Sequence, residues 1–235
     1  MQASSTQSAA TWGLDRTDQR GALSTDASYI GFYNYNLTGA GVTAYIIDTG
    51  IAFGHTDFDG RAVPGYDAVK ASDGAADCNG PRHPRCRHGG RNDLRHRQGC
   101  PPGRRPGAGL QRQREHLRGH RRDRLGDGRP QVTAALTVAA SDRSDAPAYF
   151  SNYGRCVDLF APGVEITSDW YTGAINTISG TSMATPYVTG VAALYLQSNN
   201  TASPATVSSA VKALTTKDAV KTTRTANNDL LFSNY

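Results

Sequence analysis

The apolar positions of this chain fall into two groups, one near the start and one towards the end. The first group is the β-branched run 42–47, which predicts a buried strand leading directly into Asp48. The second begins with the runs 132–140 and 157–160, which predict two more buried strands. Residues 181–197 follow, with the length and the Ala, Leu and Val content of a buried helix. Strands that alternate with helices predict a domain of the α/β class.

The end of the chain carries two weaker patterns. Residues 203–214 alternate polar and apolar faces at helical spacing and predict a second helix, and 230–232 predict a final edge strand. Pro186 lies in the first turns of the helix 181–197, where we expect its missing N–H to cost least. The 235 residues suffice for one domain, and no apolar run is long enough to span a membrane. We therefore predict a single monomeric domain without a membrane partner.

Between the two groups, residues 81–130 show neither the apolar spacing of a helix nor the alternation of a strand. They contain fifteen arginines, four acids and no lysine, although the whole chain has a net charge of only +5. A stretch with so few large apolar side chains cannot offset its ordering entropy. One interpretation is an arginine-rich arm that binds nucleic acid, and another is a disordered insert. Nucleic-acid-binding arms usually mix lysine with arginine and add aromatic side chains for stacking. This segment has no lysine and no aromatic side chain for stacking, so we expect no nucleic-acid partner.

Two motifs carry candidate catalytic residues. Asp48, in Asp-Thr-Gly, would stand at the carboxyl end of a parallel strand. Ser182, in Gly-Thr-Ser-Met-Ala-Thr-Pro over 180–186, would stand at a helix N-terminus, whose positive potential stabilises an alkoxide or an oxyanion. A serine nucleophile needs a base and an orienting carboxylate, so the two residues fit two members of a triad. The alternatives are a helix-capping role for Ser182 and a turn role for Asp48.

Together these motifs resemble the subtilisin-like serine proteases, most closely the branch of proteinase K and aqualysin. The resemblance covers residues 10–80 and 131–235. It implies a three-layer α/β domain with a mainly parallel sheet, a secreted location and cleavage of polypeptide substrates by Ser/His/Asp acyl transfer. Residues 1–5 have no basic or apolar region of a signal peptide, so the sequence itself shows no export address.

Two elements of the family pattern are absent in frame. The histidine motif should lie between Asp48 and Ser182, and a middle section with the oxyanion-hole asparagine should precede 134–138. We therefore expect an incomplete sheet. We divide the one peptidase domain, 1–235, at its arginine-rich segment. The N-terminal region is residues 1–80, the arginine-rich segment is 81–130, and the C-terminal region is 131–235.

A shifted reading frame is the third interpretation, for residues 81–129, and the one we favour. Written in codons with CGN for arginine, residues 81–90 permit His-Gly-Thr-His-Val-Ala-Gly-Thr after a shift of one base. That peptide is the histidine motif of the resembled family. Shifted GC-rich codons also produce a composition rich in arginine and free of lysine. The middle base of each shifted codon is free, so the sequence permits this interpretation without proving it.

No in-frame histidine fits the role of the base. His55 matches a family position that is not catalytic. His83 and His88 lie near the expected place, but prolines and arginines replace the helix that should aim the ring. The base is therefore unassigned, and we expect the chain as written to be inactive. A non-catalytic protease-like scaffold is the alternative function.

The resemblance also implies structural calcium sites. Asp15, Asp18 and Gln19 match an N-terminal calcium loop of the aqualysin-like branch, and their oxygens suit a hard cation. Asp158 matches the carboxylate of another family site. For both sets, helix capping and surface charge are equal alternatives. The resemblance further implies that Cys156 pairs with a cysteine of the missing section.

Overall fold

The computed structural model describes residues 5–24, 26, 28, 30–46, 53–63, 134–170, 172–222 and 224–235. The strands are β1 (Ser5–Ser8), β2 (Phe32–Tyr35), β3 (Val138–Ser141), β4 (Leu159–Pro162), β5 (Ile166–Asp169) and β6 (Ile175–Ile178). The helices are α1 (Trp12–Thr17), α2 (Thr181–Ser198) and α3 (Pro204–Leu214), with a 3₁₀ turn at Thr56–Phe58. Within the described ranges no helix is both long and apolar enough to cross a membrane.

Strands β3 and β4 form the parallel pair at the centre of the C-terminal region. Their register sets Val138 opposite Leu159. Leu230 extends this sheet on the other side of β4, because its neighbour Leu231 donates to the Phe160 carbonyl at 2.8 Å. The β1–β2 and β5–β6 pairs are antiparallel. The α/β class is confirmed, and the parallel portion of the sheet is short.

Both faces of β4 are buried because successive side chains of a strand point to opposite sides. Leu159 packs with Ala140, Val188 and Val211 under α2 and α3. Phe160 points the other way and packs with a second cluster, composed of Ala139, Val157, Val220 and Leu230. Complete burial of a Leu or Phe side chain is worth about 1.5–3 kcal/mol. The sheet therefore holds helices on one face and the C-terminal segment on the other.

Helix α2 matches the predicted helix within one residue, but one detail of that prediction is wrong. Pro186 is the sixth residue of the helix, beyond the first four N–H groups that have no intrahelical acceptor. Its missing N–H therefore removes the bond to the carbonyl of Ser182. Nearby, the Thr185 hydroxyl donates to the Thr181 carbonyl at 3.0 Å. The interruption lies directly beside the candidate nucleophile.

The predicted strand 42–47 does not form where the structure describes it. Residues 42–46 carry no ladder, and Tyr45 and Ile46 are 89% and 62% exposed. A strand needs a neighbour for its backbone groups, and no described strand lies alongside this run. The apolar run is therefore left open to solvent.

The N-terminal region is tied to the C-terminal region by one buried ion pair and by a set of more exposed hydrogen bonds. Arg16 of α1 is 1% exposed and forms a two-pronged ion pair with Asp145, at 2.8 and 2.9 Å. The Oε1 atom of Gln197, near the end of α2, accepts three backbone N–H bonds from residues 38–40. Cys156 is disulfide-bonded, to a partner outside the described residues. The expectation that its partner is lost with the missing section is therefore wrong for this structure.

Candidate active site

Ser182 is the second residue of α2, and its side chain is exposed. The N-cap is Gly180, which has extended backbone angles and no side chain to accept a capping bond. No hydrogen bond of the Ser182 hydroxyl is found among the described residues, so the capping alternative lacks support. The N–H groups of a first helical turn have no intrahelical acceptor and carry positive potential. The Ser182 N–H is thus available to an oxyanion that forms beside this serine.

The loop after β4 fixes the start of α2. Gly163 accepts a bond from the Gly180 N–H at 2.8 Å, and the Glu165 N–H donates to the Ser179 hydroxyl at 2.8 Å. A Cβ atom on Gly163 would meet the Ala140 Cβ at 2.6 Å and the Gly180 carbonyl oxygen at 3.0 Å. Only glycine lets the two backbones approach this closely. The parallel sheet therefore positions Ser182 through Gly163.

Tyr187, one turn further along α2, stands where the resembled family commonly has histidine. Burial is the main cause that raises the pKa of this phenol, and the Thr11 side chain opposes that rise. A Cβ atom on Gly13 would lie 2.1 Å from that hydroxyl, so Gly13 leaves room for the larger ring. The tyrosine therefore joins the serine helix to the N-terminal region.

The other catalytic candidates cannot be set beside Ser182. Asp48, His83 and His88 lie outside the described residues, so their roles remain predictions. His55 is described and caps the 3₁₀ turn, where its Nδ1 accepts a bond from the Asp57 N–H at 3.3 Å. Its ring packs edge-on against Phe58. These contacts agree with the non-catalytic interpretation of His55.

The 3₁₀ turn also meets the end of β5. Nδ1 of His55 lies 3.8 Å from Oδ2 of Asp169. Partial burial is the main cause that raises the pKa of Asp169; a hydrogen bond and the charge of Asp57 raise it further, whereas His55 lowers it. The two carboxyl groups therefore lie close together, with an oxygen of each within 4.8 Å of the other. Sequence reasoning missed this cluster, because its members are far apart in the chain.

The three N-terminal calcium candidates lie around one cavity of about 420 Å³, which Asn34 also lines. Asp15 is 2% exposed, and its Oδ1 accepts a bond from Gln19 Nε2 at 2.9 Å. Oδ2 of Asp18 accepts bonds from the backbone and side-chain nitrogens of Asn34, at 2.7 and 2.8 Å. Two carboxylates and two amides at one cavity form an oxygen-rich donor set that fits a hard cation such as Ca²⁺.

Asp158 has different surroundings, at the start of β4. Its Oδ2 accepts a bond from the Thr137 N–H at 2.7 Å, and its Oδ1 lies 3.8 Å from the ammonium of Lys212. A nearby ammonium competes with a metal cation for the same carboxylate. The structure does not bring Asp158 together with the N-terminal set, and its calcium role remains a prediction.

The structure thus places an exposed serine in the first turn of a helix that is anchored to a parallel strand pair. The sequence profile of the subtilase family matches residues 127–234. The chain belongs to that family of serine proteinases, as the resemblance implied. It is 40% identical to the extracellular serine proteinase of Thermus sp. strain Rt41A, over 97% of this chain and 67% of the relative. It is 37% identical to the alkaline serine exoprotease A of Vibrio alginolyticus, over 98% of this chain and 52% of the relative.

The structure also resembles the crystal structure of a cold-adapted subtilisin-like serine proteinase. The TM-score is 0.69 at 32% identity, with 97% of this chain and 99% of the other covered. The subtilisin-like fold is thus confirmed. The Thermus alignment spans 281 positions, more than the 235 residues of this chain, so the relative contains several dozen residues without a counterpart here. This difference agrees with a missing section.

Proposed function

We propose that this chain is a secreted serine endopeptidase domain of the subtilisin type, with Ser182 as the nucleophile, and that it is inactive as written. The position of Ser182 carries the proposal, since it is the exposed second residue of α2 within Gly-Thr-Ser-Met-Ala-Thr-Pro. The names of its relatives, an extracellular proteinase and an exoprotease, support secretion and polypeptide substrates. The proposal includes a monomer, without a nucleic-acid partner or a membrane partner.

The site suits acyl transfer. The Ser182 hydroxyl would attack the scissile carbonyl while a base removes its proton, and the carbonyl oxygen would gain negative charge beside the Ser182 N–H. The positive end of α2 favours that charge. Asp48 would orient the base and stabilise the imidazolium that forms. Because Gly163 and Gly180 fix the start of the helix, the serine N–H is held ready for the oxyanion.

The proposed loss of activity follows from two missing groups. His55, the one histidine among the described residues, is engaged with the 3₁₀ turn, and no other in-frame histidine fits the base. A triad without its base accelerates the reaction by at most about 10³–10⁴-fold over the rate in water. Loss of the asparagine oxyanion donor costs a further factor of about 10²–10³.

Covalent labelling tests the role of Ser182. The chain is first repaired, by restoring residues 81–129 to the other frame and supplying the missing middle section. A serine-directed fluorophosphonate should then label Ser182 and no other residue, as read by peptide mass spectrometry. Ser182→Ala should remove the label, whereas Ser198→Ala, a change at the exposed far end of the same helix, should keep it. Labelling of the Ser182→Ala variant would refute the assignment.

We also propose that Asp15, Asp18 and Gln19 hold a structural calcium ion. The shared oxygen-lined cavity supports this proposal. Bound calcium would neutralise the carboxylates and join α1 to β2. Calcium at a hundred times its dissociation constant should stabilise the chain by about 2.7 kcal/mol. Calcium should therefore raise the midpoint of thermal unfolding. This rise should disappear in Asp15→Asn and persist in Asp26→Asn, which changes an exposed acid close in sequence. An equal rise in both variants would contradict the assignment.

A further inference from the structure

An imidazole and two carboxylates converge where the 3₁₀ turn meets the end of β5. His55 and Asp57 belong to the turn, and Asp169 is the last residue of β5. Each offers one ligand atom, and these three atoms lie within 4.8 Å of one another. More than a hundred residues separate Asp57 from Asp169, so the fold itself brings the cluster together.

The buried imidazole is poorly satisfied by its protein neighbours. Its side chain is only 6% exposed, and its Nε2 has no hydrogen-bond partner within the described part of the chain. On the other side of the ring, Nδ1 accepts a bond from the Asp57 N–H at 3.3 Å, longer than the usual 2.7–3.2 Å. The carboxylate of Asp169 faces this nitrogen without reaching hydrogen-bond distance. Buried polar groups are normally paired, so this ring calls for another partner.

The spacing of the cluster suits a shared ion. Nδ1 of His55 and Oδ2 of Asp169 are 3.8 Å apart, beyond a hydrogen bond. Two ligands that each lie about 2.0–2.2 Å from a tetrahedral metal are separated by roughly 3.4 Å. An ion bound at Nδ1 would take the single lone pair of that nitrogen and so replace the long bond from the Asp57 N–H. Small shifts of the ring and the carboxylate would then bring Nδ1 and Oδ2 onto one ion.

The charges of the cluster also favour a cation. Two carboxylates this close, with oxygens within 4.8 Å, repel each other unless a proton or a cation lies between them. The neighbouring cation, Arg61, donates to the backbone carbonyls of Asp57 and Phe58. No lysine or arginine of the described residues forms an ion pair with the Asp57 or Asp169 carboxylate. Within the described ranges, His55 is therefore the one cationic side chain that faces the two carboxylates, and only when it is protonated.

We propose that His55, Asp57 and Asp169 form a binding site for a divalent transition-metal ion of the Zn²⁺ type. One imidazole nitrogen and two carboxylate oxygens are ligands that such ions accept, with water in the remaining positions. Ca²⁺ is disfavoured because it takes six to eight oxygen ligands. The ion would join the 53–63 segment to β5, so its role would be structural. The site shares no residue with Ser182 or with the calcium cavity.

Zinc binding by the full 235-residue chain tests this site. The chain is freed of metal with a chelator and titrated with Zn²⁺ or Ca²⁺ by calorimetry, and its thermal unfolding is followed with each ion. We expect Zn²⁺ to bind and raise the unfolding midpoint. Asp169→Asn and His55→Gln should each weaken zinc binding at this site by tenfold or more. Asp59→Asn is the matched control, because it neutralises an acid of the same turn whose left-handed backbone asparagine accepts.

Three results would overturn the proposal. The first is an absence of zinc binding by the unmodified chain. The second is zinc binding that neither Asp169→Asn nor His55→Gln weakens, which would place the metal elsewhere in the chain. The third is an equal loss in Asp59→Asn, which would indicate general attraction of cations to the turn. Circular dichroism checks that each variant folds. If His55→Gln does not fold, zinc binding by the isosteric Asp169→Asn variant alone decides whether the proposal stands.

Discussion

At the residue scale, the position of the nucleophile depends on glycines at least as much as on the serine itself. Gly180 begins α2 without a competing side chain, and Gly163 lets the loop after β4 accept a bond from it. The sequence motif identifies Ser182, but the close approach at Gly163 is a tertiary contact that no local pattern reports. The available signal is an Ala-Pro-Gly sequence directly after the predicted strand 157–160, and it indicates only a turn.

Gly163→Ala should destabilise the fold. Its added methyl group meets the Ala140 Cβ at 2.6 Å and backbone oxygen at 3.0 Å, so the sheet or the helix must shift. We expect a loss of about 1–3 kcal/mol in the free energy of unfolding. Gly190→Ala is the matched control, because Gly190 is a helical residue and its added methyl group would meet no atom within 4 Å. That change should stabilise α2 by about 0.5–1 kcal/mol. Urea unfolding separates the two, and equal effects would contradict the packing argument.

At the element scale, the sequence predicts the two long helices well, misses α1 (Trp12–Thr17) and predicts the strands less well. The predicted ranges 181–197 and 203–214 correspond to Thr181–Ser198 and Pro204–Leu214, because helix hydrogen bonds and apolar stripes are local. The run 42–47 is as apolar as any strand, yet 42–46 form no ladder. A strand depends on neighbours that its own sequence does not contain.

The α1 helix is short and is held by tertiary contacts. Arg16 and Asp145 are both buried, so removal of one partner leaves an uncompensated charge. We expect Arg16→Ala to lower the free energy of unfolding by about 3–5 kcal/mol. Lys217→Ala breaks a comparable 2.8 Å pair with Asp229, but the lysine is 57% exposed, so the loss should stay below about 1 kcal/mol. Chemical denaturation measures both losses; similar values would show that burial does not set the strength of the Arg16 pair.

At the scale of the whole molecule, the family and the α/β class are predictable from two motifs, and the site only in part. Ser182 stands at a helix N-terminus, as its motif predicts, and Asp15, Asp18 and Gln19 line one cavity, where their calcium role remains a prediction. The cluster of His55, Asp57 and Asp169 is not predictable, since its members meet only through folding. The role of Asp48 remains a prediction, because this residue lies outside the described ranges.

The central claim is that this subtilase has no proteolytic activity as written. It rests on two proposed losses, that of the base and that of the middle section. Hydrolysis of a chromogenic peptide, with and without a serine-directed inhibitor, tests it most directly. Three chains are compared: the chain as written, one with the reading frame restored, and one with both the frame and the middle section restored. Only the third should show inhibitor-sensitive turnover, and Ser182→Ala should abolish it. Inhibitor-sensitive turnover by the chain as written would contradict the claim and would direct the search for a base to His55, His83 and His88.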